Sequence, residues 1–211
     1  MQKMTEDKVR KTIKAYKKLA KTYAKQNENR AHIYSEIVKF TKLLPQNGSL
    51  LDLGCGTGFD SKDFQKLRPD LTILGIDISK EMLEEFEKIA PGIEHIRADM
   101  VTYIFPKNVF DGIWMNASFL HIPKENADTV IKKVVGALKP QGLLYIRVKE
   151  GSGEKFVPAQ NYGHKDIERF FSFYTKDELE NLLSKYPVKI IELGEGKVKT
   201  TKWIFVTAIK N

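Results

Sequence analysis

The chain has 211 residues, 42% of them apolar and 29% charged, an ordinary globular balance with enough length for one sizeable core. Its single cysteine, Cys55, excludes an internal disulfide. No stretch approaches the ~20 apolar residues of a membrane span or has the apolar centre of a signal peptide, so a cytoplasmic protein with no membrane partner is expected.

The net charge of +8 is uneven. Residues 1–48 hold 12 Lys/Arg against 4 Asp/Glu, whereas residues 49–150 hold 13 against 15. The first basic segment, 5–27, has helical spacing: Val9, Ile13, Tyr16, Ala20 and Tyr23 form one face, with Lys11, Lys14, Lys18, Lys21 and Lys25 mostly on the other. Asn27-Glu28-Asn29 breaks it, and a second helix is predicted over about 30–44, ended by Pro45-Gln46-Asn47-Gly48. From there short apolar strands alternate with helices. Strands are predicted at 49–53, 71–76, 93–98, 109–115 and 143–148. Helices are predicted at 58–67, after Ser79 to 89, and at 124–138, before Pro140. Ser79 has the hydroxyl of an N-cap, and Thr175 with Glu178 has the spacing of a capping box before a helix to 183. Two last strands, 188–193 and 203–209, are linked by Gly194-Glu195-Gly196 and a few more residues. That link is too short for a crossover, so they should pair antiparallel.

This alternation predicts an α/β fold, a mostly parallel sheet covered on both faces, with ligands at the edge where the strands end. The strand ends carry chemistry. Asp52, Gly54, Cys55, Gly56 and Gly58 lie where the first strand turns into a helix, and three alternating glycines let a backbone approach a ligand closely. A dinucleotide site would need glycine at position 59, which is Phe59, and a phosphate loop would need a Gly-Lys-Ser/Thr ending; neither is present. Asp77 ends the second strand, where a carboxylate suits the two hydroxyls of a ribose, with Ile78 and Met82 beside it. Asp99 ends the third, with Met100 next to it, a pair suited to an adenine amine and ring. Asn116 and Ala117 end the fourth.

Taken together, LLDLGCGTGF, GIDIS, ADM, FDGIWMNASFLHIP and LKPQGLLYIRVKEG resemble the motifs of the class I S-adenosylmethionine-dependent methyltransferases, in particular their small "type 11"-like group. The resemblance spans roughly residues 43–151. It implies a Rossmann-like, doubly wound, seven-stranded sheet of order 3-2-1-4-5-7-6 with strand 7 antiparallel, and S-adenosyl-L-methionine as cofactor. It implies one methyltransferase domain over 1–211, with an N-terminal helical cap at 1–44, a cofactor-binding core at 45–150, and a substrate-side segment with the last two strands at 151–211. Tyr16 and Tyr23 match cap-helix tyrosines that close over the cofactor. His121, just past the fourth strand, has the side chain of a general base for an acceptor that must lose a proton. The aromatic stretch 150–174 offers His164, Arg169, Phe171 and Tyr174 to a substrate. No Cys/His cluster has metal spacing, and the fourth motif lacks the Pro-Pro-Tyr pattern of enzymes that methylate nucleic-acid amino groups. A small-molecule acceptor of O, N, S or C type is expected. An RNA acceptor served by the lysine-rich helix and a non-catalytic S-adenosylmethionine-binding protein stay open.

Overall fold

The computed structural model describes residues 2–211, with side chains from residue 7 onward. Two helices, α1 (Gln2–Gln26) and α2 (Tyr34–Leu43), precede the alternating part. This runs β1 (Ser49–Leu53), α3 (Phe59–Leu67), β2 (Thr72–Asp77), α4 (Lys80–Ile89), β3 (Glu94–Arg97), β4 (Phe110–Asn116), α5 (Lys124–Ala137) and β5 (Leu138–Lys149). A small hairpin follows, β6 (Glu154–Pro158) and β7 (Glu168–Ser172). The chain ends with α6 (Lys176–Leu183), β8 (Val188–Val198) and β9 (Thr201–Lys210).

The main sheet has the order β3-β2-β1-β4-β5-β9-β8. Strands β1 to β5 are parallel where they pair, and β9 runs antiparallel between β5 and β8. This is the expected order once the β6–β7 hairpin, a separate two-stranded sheet, is counted apart. Successive side chains along a strand face opposite sides, and the core divides accordingly. Leu51, Ile113, Leu144 and Ile146 join Val130, Ile131 and Val134 of α5 and Leu179 and Leu183 of α6 in one layer. Leu50, Trp114 and Tyr145 join Ile37 and Phe40 of α2, Phe64 of α3 and Phe86 of α4 in the other. Trp114 stacks on Tyr145 with ring centroids 3.8 Å apart, and Phe40 and Phe64 meet its ring edge-on.

Local signals held at the helix ends. Ser79 accepts from the Met82 N–H, and Thr175 and Glu178 form the reciprocal capping box. Two expectations are corrected. The stretch 150–174, expected only as an aromatic substrate-side segment, contains the β6–β7 hairpin. The last hairpin turns at Lys199-Thr200, within the expected link, but β8 runs on to Val198, so that Gly194 and Gly196 lie inside the strand. Gly194 sits opposite Phe205, whose ring would lie 2.2 Å from any Cβ placed there. The glycine marks a close approach, not a turn. Helix α1 lies across α4 and β7, over the ends of the strands.

Candidate active site

After β1 the backbone turns sharply: Gly54 has φ +78° and Gly56 +55°. The Gly54 and Cys55 N–H groups both donate to the carbonyl of Ile76 on β2, which pins the loop to the neighbouring strand end. A Cβ at Gly54 would fall 2.2 Å from that of Ser118, so the β4 segment packs directly on the loop. Gly58 has another task. It caps α3 at φ +84°, and a Cβ there would strike the ring of Phe86 at 2.6 Å. It belongs to helix packing and does not face the ligand space.

That space is a cavity of about 900 Å³ at the strand ends. One wall is built by Gly54, Cys55, Gly56 and Thr57, then by Asp77, Ile78 and Met82, and then by Asp99 and Met100. Asn116 and Ala117 continue it from β4. Asp77 accepts from the Gly56 N–H at 3.0 Å through one oxygen and from the Ser79 N–H at 2.8 Å through the other. Burial raises its pKa, against the pull of these hydrogen bonds. Asp99 accepts from the Val101 N–H at 2.8 Å. Asn116 is held from both sides: its amide donates to Asp60 at 2.8 Å, and its oxygen accepts from Arg147 at 3.4 Å. Asp60 also takes the indole N–H of Trp114 at 2.7 Å and pairs with Arg30.

Asp52 does not reach this wall. It is buried beneath the loop and accepts the Ser61 hydroxyl at 2.6 Å, which ties β1 to α3. Burial pushes its pKa up to about 7. The Cys55 thiol is likewise buried and its pKa raised by desolvation, the state of a packed residue.

The opposite wall comes from α1 and the β6–β7 hairpin. Tyr16 and Tyr23 both line the cavity, as do His121, Arg169 and Phe171. The Tyr16 hydroxyl lies 2.8 Å from Nε2 of His121, and His121 Nδ1 lies 2.7 Å from the carbonyl oxygen of Phe170. A carbonyl only accepts, so Nδ1 carries the proton, and Nε2 accepts from the phenol. Burial, with the nearby charges of Arg169 and Lys149, holds the His121 pKa down at about 3. The Tyr16 phenol is raised by burial, which Arg169 opposes. His164 and Tyr174 are off the wall. Tyr174 is buried against Phe119, its ring stacked there under the hairpin, and it cannot meet a substrate.

Residues not anticipated complete the cavity: Arg30, Arg147, Lys149, Asn161, Tyr162 and Trp203. Arg147 and Lys149 had a readable signal. They stand two residues apart at the end of the apolar strand β5, which puts both on one face where ligands gather.

Residues 50–142 match a family described as a methyltransferase domain. The chain is 34% identical over 102 residues to a malonyl-[acyl-carrier protein] O-methyltransferase of Halalkalibacterium halodurans, covering 46% of this chain and 37% of that one. It is 33% identical over 105 residues to a trans-aconitate 2-methyltransferase of an Enterobacter species, covering 50% and 40%. The chain thus spans about two fifths of the length of these curated relatives. Among solved structures, the fold is similar to a 1,6-didemethyltoxoflavin-N1-methyltransferase of Burkholderia thailandensis, with TM-score 0.72, 16% identity, and 94% of this chain and 88% of that one covered.

Proposed function

We propose that the chain, whose residues 50–142 match a methyltransferase-domain family, is a class I, S-adenosylmethionine-dependent methyltransferase that transfers a methyl group to a small-molecule acceptor bound in the same cavity. The observation that carries this reading is the convergence of the glycine loop, Asp77 and Asp99 on one wall of a single cavity whose other wall is α1 and β7. At about 900 Å³ the cavity lies at the upper end of the range for small-molecule sites, with room for a cofactor and an acceptor together.

The residues fit the cofactor. Each Asp77 oxygen accepts one backbone N–H, which orients the carboxylate and leaves a lone pair on each oxygen for vicinal ribose hydroxyls. Ile78, Met82 and Met100 supply apolar surface for a base, and Asp99 an acceptor for its amine. S-adenosylmethionine, when bound, supplies an electrophilic methyl group on a sulfonium. The chain's own work is to align the acceptor with that group and to exclude water. His121 does this through Tyr16: its unprotonated Nε2 fixes the phenol proton and so sets where the phenol oxygen's lone pairs point. In this reading 1–44 is the cap, 45–150 the cofactor core and 151–211 the acceptor side. The chain acts in the cytoplasm, where a lone buried thiol such as Cys55 stays reduced. The relative named for trans-aconitate supports a small acceptor.

A second reading, an RNA acceptor, rests on α1, where Lys14, Lys18, Lys21 and Lys25 form one exposed stripe. It requires tRNA binding that weakens steeply with salt; no binding at low salt removes it. The main reading is tested by melting the protein with S-adenosylmethionine or S-adenosylhomocysteine, either of which should raise the melting temperature. Asp77→Ala should weaken cofactor binding roughly 10- to 100-fold, as expected for loss of charge-assisted hydrogen bonds worth ~1.5–3 kcal/mol. No melting shift together with no calorimetric binding to the wild type would overturn it.

A further inference from the structure

The acceptor side of the cavity holds more hydrogen-bond donors than acceptors. Lys149 projects from the end of β5 with its ammonium 3.9 Å from the ring centroid of Phe171. The Arg169 guanidinium lies 5.2 Å from the centroid of that same ring. Among the described residues neither cation has a carboxylate partner within ion-pair distance. Arg169 is 5% exposed, yet its five N–H donors find only two long contacts, to the Tyr16 oxygen and the Asn161 oxygen at 3.5 and 3.4 Å. Its Nε has no partner at all. The indole N–H of Trp203, which lines the same cavity beside Lys149, has none either. Arg147, two residues back on β5, is buried over the Trp203 ring at 4.4 Å from its centroid, with one long hydrogen bond, 3.4 Å, to Asn116.

Such an arrangement is costly without a complementary partner. Buried donors without acceptors lose their hydration and gain nothing for it, and like charges at close quarters repel. Burial and the positive charges of Arg169 and Lys155 hold the Lys149 pKa down at about 8, so the ammonium is still largely protonated at neutral pH. The Phe171 and Tyr162 rings offset part of this through their π faces. The group that complements these donors is an anion.

We propose that the methyl acceptor is an acid anion, a carboxylate or a phosphate, whose charged group is held between Lys149 and Arg169 across the face of Phe171. This rests on the methyltransferase reading and narrows its substrate class. A planar or tetrahedral oxyanion matches the guanidinium fork of Arg169, and Lys149 adds a point charge from the other strand. The Tyr16 oxygen next to Arg169 then lies beside the bound group, not free in the cavity.

The test is calorimetry on the full chain saturated with S-adenosylhomocysteine at low ionic strength. It is titrated with malonate and with glycerol 3-phosphate, each against its uncharged counterpart, malonamide or glycerol. Binding of one anion and not its neutral partner is expected, and which anion binds decides between carboxylate and phosphate. Lys149→Gln and Arg169→Gln should each weaken that binding at least about 10-fold while leaving S-adenosylhomocysteine affinity within about 2-fold. Lys149 is only partly buried, so its variant keeps the test open if Arg169→Gln does not fold. If S-adenosylhomocysteine fails to bind the wild type, the methyltransferase reading falls. If it binds but neither anion does, or if Lys149→Gln binds the anion as well as the wild type, the acid-anion proposal alone falls.

Discussion

His121 shows how two hydrogen bonds constrain what a residue can do. From the sequence it has the position and chemistry of a general base. In the fold its Nδ1–H is spent on the Phe170 carbonyl and its Nε2 on the Tyr16 phenol, and no nitrogen is left for an acceptor. Burial keeps it neutral down to about pH 3. Because that value lies below the ordinary imidazole pKa, the unfolded chain binds a proton that the fold refuses between about pH 6.5 and pH 3. Stability therefore rises with pH through that window and is flat above it. The expected activity profile follows from the same depression. A plot of kcat/KM between pH 5.5 and 7.5 should show no inflection from this imidazole, whereas a free general base would titrate near pH 6.5. His121→Ala should lower kcat without introducing or removing a pH step, and Tyr16→Phe should reproduce much of that loss. A wild-type profile with a step near pH 6.5 that vanishes in His121→Ala would restore the general-base role.

Among the elements, the parallel strands and their capped helices were legible because each carries a local signal: an apolar run, a capping hydroxyl, a glycine or proline stop. The same strand ends disclosed Gly54, Gly56, Asp77, Asp99 and Asn116, since the topology alone brings them to one edge. The wall built by α1 and the β6–β7 hairpin was harder to read. Arg169 and Phe171 were identifiable by type, but β6 and β7 have mixed polar and aromatic faces and no short turn between them, so their pairing depends on α1 and not on local sequence. Gly194 misled for a related reason: a glycine reads as a turn unless the partner strand's aromatic ring is known. Its real task yields a prediction. Gly194→Ala would drive a methyl group into the Phe205 ring, which in turn stacks on Tyr145. Overpacking of this kind costs ~1–3 kcal/mol, a fall in melting temperature of ~2–4 °C per kcal/mol for a chain of this size. Adding Phe205→Leu should recover most of it. An unchanged melting temperature in the single variant would mean that β8 shifts freely past β9.

At the scale of the whole molecule, the ligand-facing halves are separate pieces brought together by one helix face. Lys8, Thr12 and Tyr16, spaced one helical turn apart on α1, reach in order Glu154 on β6, the Phe170 N–H on β7, and His121 beyond β4. Thr12 is the buried stitch: its hydroxyl donates to the Lys8 carbonyl and accepts the Phe170 N–H at 3.0 Å, and both residues are buried. Since α1 and the hairpin together roof one side of the cavity, the stitches should make helix and hairpin move as one. Hydrogen exchange should report that coupling. S-adenosylhomocysteine should slow exchange in α1 and in β6–β7 by similar factors, with little change in the interior of α5, which lies on the far side of the sheet's core. Thr12→Val keeps the shape but strands the Phe170 N–H, a loss of ~1–3 kcal/mol. It should therefore speed exchange in both α1 and the hairpin by about 5- to 100-fold while sparing α5. Faster exchange in the helix alone, with the hairpin unchanged, would show that the two pieces of the roof open independently and that the Thr12 contact does not couple them.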